Sequence, residues 1–212
     1  NVRIWDANCT PEFLESRNLS NLAPGDLGPL YGFQWRHFNA PYRGCDADYT
    51  GEGVDQLQQA IDILRDPAQR TSRRIIVSAW NPCQVDEGVL PSCHNFFQFN
   101  VVDGNKLSCS LTQRSGDLGL GVPFNIASYA FLTHLIAKHC NLIPYEFIHF
   151  LGNCHVYSQH IDVLETQTYR KPYPFPTLSI CTKRDNINDY VIDDFILHGY
   201  ESHLSIKMDL VA

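Results

Sequence analysis

The stretch "HNFFQFNVVDGNKLSCSLTQR", residues 94–114, decides how this chain is read. Two strand-like runs flank "DGN", the wording of a tight hairpin turn. On the second run Ser108, Ser110, Thr112 and Arg114 share one face by two-residue periodicity, and Leu107, Cys109 and Leu111 share the other. A strand with a polar face that ends in arginine is expected to line a cleft or an interface. Downstream, "PFNIASYAFLTHLIAKHC" (123–140) is apolar almost all round and predicts a long, buried central helix starting near Pro123.

Working outward, "CTPEFLESRNL" predicts a short helix with Thr10 as cap and Pro11 in the first turn. The aromatic-rich "APGDLGPLYGFQWRHF" (23–38) reads as a structured loop. Val54, Leu57, Ile61 and Leu64 recur at helical spacing in 53–65, and "RRIIVSAW" (73–80) reads as a strand. Further strands are expected at 145–152, 177–182, 190–197 and 204–210, with a short helix in 157–170 before the proline-rich "KPYPFP". This mixed order predicts an α+β single domain over 1–212, a large mixed β-sheet around a buried central helix.

The bulk properties agree with one sizeable core: 212 residues, 44% hydrophobic and 18% charged. A formal net charge of −7 argues against a general nucleic-acid or bilayer-surface binder, though local arginines can still hold a small anion. No signal peptide is visible and no apolar run approaches the ~20 residues of a membrane span, so no membrane partner is expected. The eight cysteines are scattered without a CxxC pair, which predicts mostly buried free thiols in a reducing compartment. Cysteine and histidine show no structural-zinc spacing, and no metal is expected.

Several residues could carry chemistry. In "GVLPSCHNFFQF", Cys93 and His94 are adjacent, and in a strand adjacent side chains point to opposite faces. If Cys93 reacts, another group must favour its thiolate, and arginines could do so; the plain alternative is an inert buried cysteine. Arg114, Ser115 and Asp117 lie between a polar strand face and a helix start, among Gly116, Gly119 and Gly121. That grouping suits a phosphate or carboxylate clamp, or else it is an ordinary glycine-rich loop. Asn125 is either a helix cap or a donor–acceptor for a heterocycle edge. "RTSRRII" is a solvated face or, with Arg114, an anion site. His155 and Tyr157, two apart, could bond sugar hydroxyls or simply pack.

Taken together, "LPSCH", "RRIIVSAWNP", "QRSGDLGLGVPFNIASY" and "HFLGNCHVY" resemble thymidylate synthase. So do "IWDAN", "GDLGPLYGFQWRHF", "YTGEG" and the closing "SIKMDLVA". The resemblance is collinear over the whole chain and is nearest the eukaryotic and viral type. It implies the thymidylate synthase fold and reductive methylation of dUMP to dTMP, with 5,10-methylenetetrahydrofolate as carbon and hydride donor. No metal and no NAD(P) are implied, and the Rossmann glycine pattern does not appear.

Residue by residue, the resemblance makes Cys93 the nucleophile that adds to C6 of the uracil ring, leaving an enolate that attacks the one-carbon unit. It places Tyr31 and Asn81, with Trp80, beside the reacting centre. It gives Arg114 and Ser115 to the phosphate, and adds His94, Gln113 and Asp117 to the dUMP contacts. It assigns Asn125 to the pyrimidine edge, and His155 and Tyr157 to the ribose. Arg73 and Arg74 would reach the phosphate of a partner subunit's site, so a homodimer is implied. Ile4, Trp5, Asn8, Asp117, Gly121 and the segment from Met208 to Ala212 fall where folate is bound and covered, closing a dry cleft for hydride transfer. In some members the protein's own mRNA is a further partner. The cytoplasm is the expected compartment, with the nucleus as a second.

The sequence departs from the family pattern at Ser92 for a proline, Asn153 for an aspartate, and "YESHLS", which keeps His203 without its flanking prolines. The family's N-terminal region carries a phosphate-binding arginine and a water-organising glutamate, and no residue here matches either. The natural chain is therefore expected to extend upstream of Asn1. A catalytically impaired or inactive synthase-like dimer is the alternative reading. dCMP hydroxymethylase is a further one, against which Asn125 stands where that enzyme is expected to carry aspartate.

Overall fold

A computed structural model describes residues 3–210. Its centre is the hairpin of β2 (His94–Val102) and β3 (Lys106–Asp117), paired antiparallel with Phe97 opposite Leu111 and Phe99 opposite Cys109. Asp103 (φ 49°) and Gly104 (φ 81°) both take positive φ, and the Asn105 N–H donates to the Val102 carbonyl at 3.3 Å. Two consecutive positive φ values make a type I′ turn, whose twist matches that of the strands it joins. A register shift between His94 and Phe96 turns the start of β2 out of regular alternation, at the end that carries Cys93.

β1 (Ile76–Ser78) pairs antiparallel with β2 on one side, and β4 (Ile143–His155) runs parallel to β3 on the other. The connection from β3 to β4 is α4 (Gly121–His139), as parallel neighbours require. The sheet order is β1-β2-β3-β4, so it is mixed, and the α+β expectation holds. Leu107, Cys109, Leu111, Phe97, Phe99, Ile75 and Val77 are wholly buried between the sheet and two helices. α3 (Gln56–Arg65) contributes Ile61 and Leu64, and α4 contributes Tyr129, Ile136 and Ala137. Burial of these side chains is worth roughly 1.5–3 kcal/mol each and dominates the stability.

The remaining elements are α1 (Pro11–Ser16), α2 (Gly32–His37), α5 (Ile161–Thr168) and a small hairpin of β5 (Thr177–Ile180) with β6 (Phe195–His198). The Thr10 side chain caps α1 by accepting from the Phe13 N–H at 3.3 Å, as the sequence predicts. Elsewhere the structure corrects the sequence reading. The segment 23–38 contains α2 and is not all loop. The strand expected at 73–80 is confined to β1. Those at 177–182 and 190–197 shrink to β5 and β6, and 204–210 forms no strand. α4 starts two residues before Pro123, and its burial is one-sided: Phe124, Ile126 and Phe131 are exposed. On the polar face of β3, Ser108 is buried and donates to Glu146 Oε1 at 2.9 Å, so only the Arg114 end is open. All eight cysteines are free thiols, yet only Cys109 and Cys140 are buried; four are exposed because they sit in loops and on the β4 edge.

Candidate active site

The parallel pair β3–β4 ends at Asp117 and His155, and α4 starts just beyond. Polar side chains gather at this edge, with the Cys93 turn beside them. Cys93 directly precedes β2, and its N–H donates to the Tyr31 hydroxyl at 3.0 Å. Tyr31 holds a strained backbone (φ 41°, ψ −102°), a conformation that costs a non-glycine residue roughly 1–3 kcal/mol. The strain aims the ring so that it stacks on His94 at 3.9 Å while its hydroxyl meets Cys93. Burial first, and the neighbouring Cys93 second, push the phenol well above the ordinary tyrosine value. Tyr31 therefore keeps its proton at neutral pH.

Arg114 Nη2 lies 3.8 Å from the Cys93 sulfur. The guanidinium is fixed there from several sides. Nε donates to the Ser92 carbonyl at 3.0 Å and Nη2 to the Pro91 carbonyl at 2.7 Å, and the group lies 5.7 Å from the Trp80 ring. The Arg114 N–H donates to Asn95 Oδ1 at 2.8 Å. A cation held in this way keeps its place beside the sulfur without having to reorganise.

A second polar file runs from His94 to α4. Burial pushes the His94 imidazole down to about 4, His149 adding a smaller effect, so the ring is neutral; its Nδ1 pairs with the Tyr129 hydroxyl at 2.6 Å. His149 Nε2 meets Gln113 Oε1 at 2.8 Å. The Gln113 amide then donates to the Ser115 carbonyl at 2.8 Å and to Asn125 Oδ1 at 3.0 Å. Asn125 is the fifth residue of α4 and so is not its cap; its side chain is oriented by Gln113 instead. With Oδ1 receiving one hydrogen bond, Asn125 retains an amide donor and a second acceptor lone pair.

The Asp117 carboxylate accepts from the N–H groups of Gly119 (2.9 Å) and Leu120 (3.3 Å), shaping the turn into α4. Gly121 opens that helix beside Asp117 and Asn125. The Leu118 N–H donates to the His155 carbonyl at 3.0 Å, which binds this turn to the end of β4. The His155 and Tyr157 rings lie edge to face at 5.1 Å, as their spacing suggests. Met208 approaches Gly119, bringing the chain's last described segment to the same edge. Asn8 is buried with its Oδ1 unpartnered, in the same short 3-10 turn that follows the exposed Trp5, with Ile4 just before it.

Asn81 is buried in an amide network, its Nδ2 directed at Gln34, Asn39 and Gln84 at 3.0 to 3.3 Å. Arg73 and Arg74 are exposed, in the turn that precedes β1. Ala212 lies outside the described residues. Conversely, Tyr129, His149, His160 and the Gln34–Gln84 pair belong to the site or its support and were not singled out from the sequence. Their partners are 35 to 50 residues away, so no local pattern marks them.

This arrangement sets a half-buried cysteine against a fixed cation, near a side chain that offers both a donor and an acceptor. The thymidylate synthase family model matches residues 1–212, and the chain belongs to that family. It is 52% identical over 211 residues to thymidylate synthase of Homo sapiens and 50% over 212 residues to that of Equine herpesvirus 2. It is 54% identical over 213 residues to a bifunctional dihydrofolate reductase-thymidylate synthase of Plasmodium chabaudi. Each match covers the whole of this chain, which spans 66%, 72% and 36% of those relatives respectively.

Proposed function

We propose that the protein of which this chain is part methylates dUMP reductively to dTMP, consuming 5,10-methylenetetrahydrofolate and releasing dihydrofolate. The observation that carries this reading is Cys93 with its sulfur 3.8 Å from Arg114, whose chain neighbour Gln113 orients Asn125. Uracil C5 is a poor nucleophile until a thiolate bonds to C6; the electron pair then moves onto C5 and the C4 oxygen. Cys93 forms that bond. Arg114 stabilises charge on the sulfur before attack and on its release, and its side also suits the phosphate with Ser115. Tyr31 remains a phenol, able to give or receive a hydrogen bond next to the sulfur. Asn125 meets the O4/N3 edge with its amide donor and spare acceptor, and Gln113 and His149 hold it in register. His155 and Tyr157 suit the ribose hydroxyl.

When bound, the folate supplies the one-carbon unit and the hydride. Its expected neighbours fit a nitrogen heterocycle: buried Asn8 offers an unpartnered acceptor, and Asp117, Gly121 and Met208 converge on one turn. The tail there excludes water from the reacting centre.

A homodimer follows from the same reading. Arg73 and Arg74 are exposed in the turn before β1, where they are free to serve the phosphate of a partner's site. Arg73→Ala should raise the KM for dUMP, and an unchanged KM would remove the cross-subunit role. The expected surroundings are the cytoplasm, with the nucleus second, and the mRNA contact implied for some relatives.

The deciding experiment incubates the full-length protein with 5-fluoro-dUMP and methylenetetrahydrofolate, followed by denaturing mass spectrometry. Fluorine at C5 does not leave as the proton does, so a working site retains nucleotide and folate on Cys93. A stoichiometric adduct, absent in Cys93→Ala, is the expected result. A folded dimer without adduct would overturn the reading.

A further inference from the structure

Among the described residues, the segment after β6 (199–210) has no ladder partner. Side chains tie it down instead. Arg170 Nη1 donates to the Leu204 carbonyl at 2.7 Å, His203 Nε2 meets the Lys171 carbonyl at 2.9 Å, and His160 Nε2 meets the Asp209 carbonyl at 2.9 Å. The first two ties are exposed and hold the middle of the segment. The third lies at the edge where Asp117, Gly121 and Asn125 gather.

His160 is nearly wholly buried, and its other ring nitrogen, Nδ1, has no hydrogen-bond partner. Because a carbonyl can only accept, Nε2 is the donor in this bond. A buried histidine that serves the core alone normally satisfies both nitrogens; here the single side-chain bond goes to the tail. Gly119 explains how the ring comes so near. A Cβ there would stand 3.1 Å from His160 Nδ1 and 3.3 Å from both Asp117 Oδ1 and Met208 Sδ. The α5 side, the turn into α4 and the tail therefore meet over one bare α-carbon.

We propose that His160 is a positioning residue that seats the C-terminal segment on the Asp117–Leu120 turn, with Gly119 as the gap that lets the two surfaces close. Tyr157 backs the imidazole edge to face at 5.9 Å, so the ring that holds the tail is aligned by a residue expected at the ribose. The seat thus connects tail position to the nucleotide side of the site. Its effect on catalysis rests on the function proposed above; its effect on the tail does not.

The test uses the full-length protein and two readouts. Hydrogen exchange of the amides in 205–210 measures the seat directly. In His160→Phe, which keeps an aromatic ring but no donor, exchange should rise about tenfold, the scale of one lost buried hydrogen bond. His160→Gln, whose amide can reach the same carbonyl, should restore most of the protection. Gly119→Ala, acting from the opposite surface, should also loosen 205–210 while β2 and β3 exchange as before. In turnover assays the KM for folate should rise in both loosened variants, with little change in the KM for dUMP. Parent-like exchange in 205–210 for both His160→Phe and Gly119→Ala would overturn the proposal, as would loosening spread evenly through β2 and β3 in both. A parent protein without turnover would count against the proposed activity and leave the exchange result to judge the seat.

Discussion

Cys93 and Cys109 belong to the same strand pair, and they are opposite in character. Cys109 faces Phe99 in mid-strand, is wholly excluded from solvent, and burial pushes its thiol up to about 12. Cys93 sits where the β2 register breaks, half-buried, with a guanidinium 3.8 Å from its sulfur and a tyrosine hydroxyl on its N–H. Residue type is therefore a poor guide to surroundings; a break in the ladder and an anchored cation separate the two.

Replacing the sulfur should sharpen this contrast most. Cys93→Ala should lower turnover by about four orders of magnitude or more while dUMP binding persists, checked by steady-state assay and calorimetry. Substantial remaining turnover would remove Cys93 from its role. Arg114→Gln should come next, with kcat down by roughly 10²–10³-fold and slower alkylation of Cys93 by iodoacetamide. Cys109 should stay unlabelled in parent and variant alike, and equal labelling of the two cysteines would break the comparison.

The third effect depends on pH. The folded His94 imidazole is held down at about 4 by burial, against an ordinary 6.5 when unfolded. Between those values the unfolded chain binds the extra proton and the folded one does not, so stability falls as pH drops from 6.5 toward 4. The loss from this residue amounts to at most about 3 kcal/mol. Urea melts at pH 7 and 4.5 should show a smaller drop in His94→Gln than in the parent; equal drops would refute the assignment. Smallest is a pair of serine replacements. Cys109→Ser should cost about 1–3 kcal/mol by burying a hydroxyl among apolar side chains, and Cys93→Ser under about 0.5 kcal/mol. A reversal of that order in thermal melts would mean that the core and edge positions have been mistaken.

Much of the fold was legible because its signals are local. The DGN turn, the alternation Leu107–Cys109–Leu111 and the spacing Leu57–Ile61–Leu64 each depend on neighbours within a few residues, and the structure buries these apolar residues; Val54, read in the same helical set, precedes α3, bridges to Phe38 and is exposed. What was misread depended on distant contacts. "SIKMDL" has a strand's composition but no partner ladder, and side chains of 160 and 170 hold the segment in its place. α2 hides in a glycine- and aromatic-rich stretch, where Gln34 is buried to serve Asn81 and Gln84, 47 and 50 residues away. Asn81, which stands in a family motif next to Trp80, joins that buried network.

Sequence alone determined the mixed architecture, the central hairpin, the long helix after it and, through collinear motifs, the family. These depend on periodicity, turn chemistry and residue order, all carried by the chain itself. Only the tertiary structure decided which cysteine has a cation at its sulfur, which amide orients Asn125, and that one imidazole seats the tail. Each of those rests on groups far apart in sequence meeting at hydrogen-bond or ion-contact distance, where an error of one ångström changes the chemistry.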